Sequence, residues 1–172
     1  MKQFQTPKQS GFTLIELIVV MVILGILAAT ALPRFINLGG DARAASLNAA
    51  RGSLNSSIAL IHGQWLARGG TGTSVQIDGI TLTLDTAGYP TVGDNANLLT
   101  FAGLSANDYT VVAPNTTANG NTPGTTAQQI GLYPVSVHNT PNALTCIIRV
   151  TFPQTAGSQP TVSAPPAATD CD

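Results

Sequence analysis

Glu16 is the side chain whose position most needs a chemical explanation. It is the single charge in a run of 21 residues, 12–32, that reads FTLIELIVVMVILGILAATAL. A carboxylate at membrane depth costs on the order of 2.5–3.5 kcal/mol on insertion scales, so it needs a partner or a use. The run holds no basic residue to pair with it. A partner could be made by cutting the chain between Gly11 and Phe12. The new α-amine would carry a positive charge one helical turn from Glu16, within reach of its own carboxylate or that of another copy.

The other chemically capable residues point away from catalysis. His62 and His138 stand far apart in sequence, and neither has a Cys or an acid at metal-ligand spacing. No nucleophile elbow, phosphate-binding loop or dinucleotide fingerprint is present. Asp94-Asn95-Ala96-Asn97 is too short for a calcium loop and lacks the later Glu. Asn55-Ser56-Ser57 and Asn115-Thr116-Thr117 match the glycosylation sequon, a pattern that often arises by chance. Aromatic content is 5% and no haem attachment motif occurs, so a conductive role has little support. The expectation is a protein that is not an enzyme and takes no cofactor or metal. Formal net charge is −1; setting aside Lys2 and Lys8 leaves 5 basic against 8 acidic residues, 5 − 8 = −3, which makes nucleic acid a poor partner.

The apolar run positions Glu16. At about 1.5 Å per residue its 21 residues span about 31 Å, the hydrocarbon thickness of a bilayer. A buried core helix is a poor alternative, because a chain of 172 residues has little to wrap around it. Lys2 and Lys8 precede the run, so the positive-inside rule places the N-terminus in the cytoplasm and the rest outside. Ala29-Thr30-Ala31 offers a rival reading as a signal-peptidase site, but the run is long for a signal and contains Glu16. Cys146 and Cys171 both lie in the part that would be exported, where an even count favours a disulfide. Two free thiols, or a metal pair lacking its other ligands, are the alternatives.

Gly11-Phe12-Thr13-Leu14-Ile15-Glu16 resembles the processing motif of type IV pilins and of type II secretion pseudopilins. The resemblance implies that a prepilin peptidase cleaves after Gly11 and methylates the new N-terminal Phe12. It implies that Glu16 neutralises a neighbouring subunit's amine during assembly. Pro33-Arg34-Phe35-Ile36-Asn37-Leu38, followed by Asp41-Ala42-Arg43, resembles the mannose-sensitive haemagglutinin type of pilin. The fold implied is α+β, the type IV pilin fold: a long N-terminal helix packed on a small antiparallel sheet, with a surface-exposed region bounded by a C-terminal disulfide.

Beyond the run, Pro33 predicts a kink or break, because it removes a helical hydrogen bond and clashes with the preceding turn. Gly39-Gly40 weakens the next turn by about 1 kcal/mol per glycine. A second helix is therefore expected from an Asp41 cap to about Ala67, with Gly69-Gly70 ending it. Leu47, Leu54, Ile58, Ile61 and Trp65 form its core stripe. Ala45, Ala49, Gly52, Ser56, Ala59 and Gly63 line its opposite face; either this face is simply exposed or, as preferred here, it meets helices of other subunits. The stretch 75–84 reads as a hairpin turning at Asp78-Gly79. A short helix is expected over 94–103, and strands over 109–113, 132–137 and 144–152, giving one antiparallel sheet of four or five strands. The stretch 115–129 reads as a mobile loop and 153–172 as a tail without periodicity, pinned by the disulfide.

The expected organisation is a leader at 1–11, a transmembrane and filament-core helix at 12–32, a kink and amphipathic helix at 33–67, and an exported sheet domain at 68–172. The function read from this is a structural pilin of an extracellular type IV pilus, serving adhesion, surface attachment or biofilm formation. The expected partners are copies of itself in a helical homopolymer, the prepilin peptidase, the inner-membrane assembly machinery and, before assembly, the membrane. The precursor would sit in the inner membrane and the product in the pilus. A pseudopilin of a type II secretion system is the alternative, which the paired cysteines disfavour because major pseudopilins commonly lack them. An enzyme merely tethered by the run is a third, which Glu16 disfavours.

Overall fold

The computed structural model describes residues 12–36, 38–153 and 157–172. It divides into two units, Met1–Ile36 and Asn37–Asp172. The first holds α1, Leu14–Ile36, which runs through the position of Pro33 rather than stopping before it. Its stretch Leu14–Ala31 is long and apolar enough to cross a membrane, and none of it is buried within the chain.

The second unit begins with α2, Leu38–Ala67. Leu47, Leu54, Ile58 and Ile61 are fully buried on one stripe, as the spacing predicted, and each stabilises the unit by about 1.5–3 kcal/mol. Trp65 completes the stripe at its edge, its indole N–H donating to the Gly72 carbonyl at 2.9 Å. Gly69 and Gly70, at φ +93° and +67°, end the helix.

The start of α2 departs from expectation. The helix begins at Leu38 and takes in Gly39-Gly40 instead of waiting for Asp41. The reason lies at the far end of the sequence. A 3₁₀ turn, Ala168–Cys171, packs on the first turns of α2. A Cβ at position 40 would collide with the Ala168 carbonyl and the Asp172 carboxylate. Glycine costs helix propensity there, and the docked turn makes the exchange worthwhile.

The sheet region also differs from the single sheet expected. β1 (Ser74–Ile77) and β2 (Ile80–Thr83) form the predicted hairpin, with Asp78 and Gly79 at φ +49° and +79° in the turn. This hairpin is a separate two-stranded sheet. α3, Asn95–Phe101, follows. β3 (Tyr109–Val112), β4 (Gln129–Pro134), β5 (Ile148–Thr151) and β6 (Thr161–Val162) make an antiparallel sheet in that order.

β4 lies three residues earlier than the apolar pattern suggested, because Pro134 cannot continue the ladder and Val135–Val137 forms a 3₁₀ turn. Gly131 disguised the true start; it is required where Ile147 and Val112 close over the strand. β5 is shorter than expected because Pro141–Leu144 is a 3₁₀ turn. β6 comes out of the supposedly irregular tail, with Val162 opposite Val150. The stretch 115–126 bonds across itself, through Asn115 N–H to Thr126 O (3.1 Å) and Thr125 N–H to Thr116 O (3.0 Å). It is a hydrogen-bonded, hairpin-like loop.

Cys146 and Cys171 are bonded, with Cα atoms 4.7 Å apart, and both are fully buried. The bond therefore ties the strand-side segment to the turn docked on α2. Closing a loop of 25 residues is worth about 3.5 kcal/mol in the chain-entropy model. Non-reducing peptide mapping should recover the Cys146–Cys171 pair, and Cys171→Ser should lower the stability of the detergent-solubilised chain by about 2–5 kcal/mol. In the same assay Gly40→Ala should cost about 1–3 kcal/mol through overpacking. Gly52→Ala, facing open space, should leave stability unchanged or raise it by up to about 1 kcal/mol.

Candidate assembly surfaces

The first surface is the beginning of α1. Thr13 precedes the first helical residue, and Glu16 stands in the first turn. The carboxylate oxygen Oε2 accepts the Thr13 backbone N–H at 2.9 Å and the Thr13 hydroxyl at 2.7 Å. In return the Glu16 N–H donates to Thr13 Oγ1 at 3.4 Å. This is a capping box, with each residue satisfying a backbone donor of the helix terminus. The Thr-x-x-Glu spacing of this box stands in the same six residues as the processing motif, where the membrane setting makes Glu16 look in need of a cation instead. Gly11, the expected last leader residue, lies outside the described residues. Phe12 is 93% exposed, so among the described residues nothing covers the residue at which the mature protein is expected to begin.

The second surface is the back of α2. Ala45, Ala49, Gly52, Ser56, Ala59 and Gly63 are all exposed. At Gly52 and Gly63 a Cβ would meet nothing within 4 Å. The helix thus presents a smooth, uncharged strip on which another backbone can lie closely.

The third element is the clamp that holds the C-terminal turn. Arg43 donates from Nε to Ser136 Oγ at 3.1 Å and from Nη1 to the Cys171 carbonyl at 2.5 Å. Thr145 Oγ1 donates to the Asp170 carbonyl at 2.6 Å, and the Asn142 amide donates to the carbonyl of Asp172. The cysteines and the start of α2 therefore act as one structural joint.

The two histidines have structural partners. His62 stacks on Tyr89, with ring centroids 4.2 Å apart, and His138 Nδ1 lies 2.9 Å from the Tyr133 hydroxyl. Among the described residues no group of three or more His, Cys, Asp or Glu could hold a metal ion. The structure places Phe12 two residues before the start of α1 and Glu16 in its first turn, bonds Cys146 to Cys171, and places Pro33 inside the assigned span of α1.

Residues 6–32 match the family described as the prokaryotic N-terminal methylation motif. The chain is 45% identical over 53 residues to the type IV narrow pilus major component PilA5 of Thermus thermophilus, an alignment covering 31% of this chain and 46% of that protein. It therefore spans about half the length of this curated relative. No solved structure matches. The matches support a type IV pilin and do not extend to the mannose-sensitive haemagglutinin type. A processing-and-methylation motif at the N-terminus makes this part of the chain similar to a type IV pilin, and the apolar helix behind it, the small antiparallel sheets and the C-terminal disulfide are consistent with the type IV pilin fold.

Proposed function

We propose that the chain is a structural subunit of an extracellular type IV pilus that serves adhesion and surface attachment. The observation that carries this reading is the uncovered apolar helix whose first turn holds a carboxylate. In the precursor, lipid covers α1, with the N-terminus in the cytoplasm. A prepilin peptidase cuts after Gly11 and methylates Phe12. The subunit then leaves the bilayer, and α1 trades lipid for the α1 helices of other copies.

The charge argument follows from the capping box. Glu16 uses Oε2 to close its own helix end. Oε1 is then the atom available to an amine. Once the leader is gone, the Phe12 α-amine is the cation present at that depth. A buried carboxylate without a cation is costly, so a neighbour's amine is favoured only in the axial register that brings it to Glu16. The pair selects the stagger between subunits more than it adds net stability.

Terminal mass spectrometry of the mature protein should show a chain beginning at methylated Phe12; a start at Leu32 would mean ordinary signal cleavage and overturn the reading. Glu16→Ala should leave the membrane-bound pool intact while sheared surface filaments fall sharply, and Glu16→Asp should lie between. Thr13→Ala weakens the cap without touching the charge, since it removes the hydroxyl half of the box, worth about 1 kcal/mol, and keeps both the carboxylate and its bond from the Thr13 N–H. It should assemble far better than Glu16→Ala. Equal loss in both variants would show that Glu16 matters only as a cap.

A further inference from the structure

Asn119-Gly120 is the one asparagine–glycine step in the sequence. It lies at the tip of the 115–126 loop, and both residues are exposed. The tip is a turn closed by the Asn119 N–H on the Thr122 carbonyl at 3.0 Å. The buried Pro123 anchors it on the far side. The Asn119 side chain folds over the backbone that follows it, a habit of asparagine in turns. Its Oδ1 accepts the Asn121 N–H at 3.0 Å and the Thr122 N–H at 2.8 Å. The Gly120 N–H donates to nothing among the described residues.

These are the components of an intramolecular acyl transfer. The electrophile is the side-chain carbonyl carbon of Asn119. The nucleophile is the Gly120 nitrogen, which has no side chain beside it. Both belong to adjacent residues, so the attack is unimolecular and needs no encounter. The two N–H groups on Oδ1 stand where negative charge develops when the carbonyl carbon becomes tetrahedral, as the donors of an oxyanion hole do. A fold suppresses this chemistry by burying the amide nitrogen or by tying it to a carbonyl. Here it does neither.

We propose that Asn119-Gly120 is a self-modifying site, at which the chain converts Asn119 to aspartate or isoaspartate with water as the co-reactant. The Gly120 nitrogen gives up its proton to solvent and bonds to the Asn119 side-chain carbon. The bond from that carbon to Nδ2 breaks, and Nδ2 takes a proton from solvent and leaves as ammonia. Water then opens the five-membered imide at one of its two carbonyls. Opening at the former side-chain carbonyl gives aspartate; opening at the backbone carbonyl gives isoaspartate, which lengthens the backbone by one carbon inside the turn. Either product adds one negative charge, taking the formal net charge from −1 to −1 − 1 = −2. That charge falls in the stretch 113–128, which otherwise carries none. The loop would therefore change its surface chemistry with age, without any enzyme.

The test is to incubate the detergent-solubilised full chain in mildly alkaline buffer and to map its peptides by mass spectrometry. Asn119 should acquire the mass of an amide exchanged for an acid, in two products that elute apart. Asn115 and Asn121, exposed in the same loop but followed by threonine, should remain amides. A Cβ at position 120 would meet nothing within 4 Å, so Gly120→Ala keeps the loop intact. It should slow conversion by on the order of tenfold, because the attacking nitrogen loses the backbone freedom of glycine. The same chain, reduced and unfolded in guanidinium, measures what the fold contributes; the native chain should convert at least as fast. An unaltered Asn119, conversion spread evenly over the three asparagines, or a native rate well below the unfolded one would overturn the site.

Discussion

A helix of 23 apolar-rich residues needs a cover, and none of its membrane-length stretch is buried among the described residues. Along α1 the large side chains from Leu14 to Leu27 are about half or more exposed. Each such side chain removed from water is worth about 1.5–3 kcal/mol, so a lone copy in water would be under a large driving force to aggregate or insert. In the proposed function, lipid answers this first and other copies answer it later. The rest of the molecule conforms to that exchange. The capping box satisfies the helix end without a cation, so α1 can stand alone in the bilayer. The bare side of α2 keeps the second unit from obstructing close approach.

The second unit solves a different problem with little material. Its charged residues are few, and its core is built on one stripe of α2. A long helix with one buried side tends to leave its ends loose. Here the disulfide, Arg43 and the C-terminal turn secure the N-terminal end, and the Trp65 indole bond secures the other. The helix can thus expose its opposite side without fraying.

The features legible in the sequence were those governed by local pattern. The apolar run, the stripe of α2, the Asp78-Gly79 hairpin and the paired cysteines follow from spacing and residue type alone. The misread features were those decided by distant partners. Gly39-Gly40 looks like a helix breaker until the 168–171 turn is seated on it. Gly131 looks like a loop residue until Ile147 and Val112 are seen closing over it. Two residues of the tail, Thr161–Val162, form β6 only because β5 offers an open edge. The Thr13–Glu16 box is the exception: it is local, yet it was hidden because the membrane made the carboxylate look in need of a counter-charge.

The docking of the C-terminal turn on α2 also constrains when the unit can fold. Arg43 and Cys171 are separated by 128 positions, so the first turns of α2 are completed by residues synthesised long after them. Closing so long a loop adds only about 0.6 kcal/mol for each doubling of length, but it delays the contact until residues 168–171 are available. If translocation runs from α1 outward, α2 emerges early and waits with its glycine pair uncovered. The unit is then closed by its own tail, and a chain that stalls in export carries an unsealed helix next to the membrane. The start of the helix is sealed only when the disulfide-bonded turn at 168–171 has docked on it.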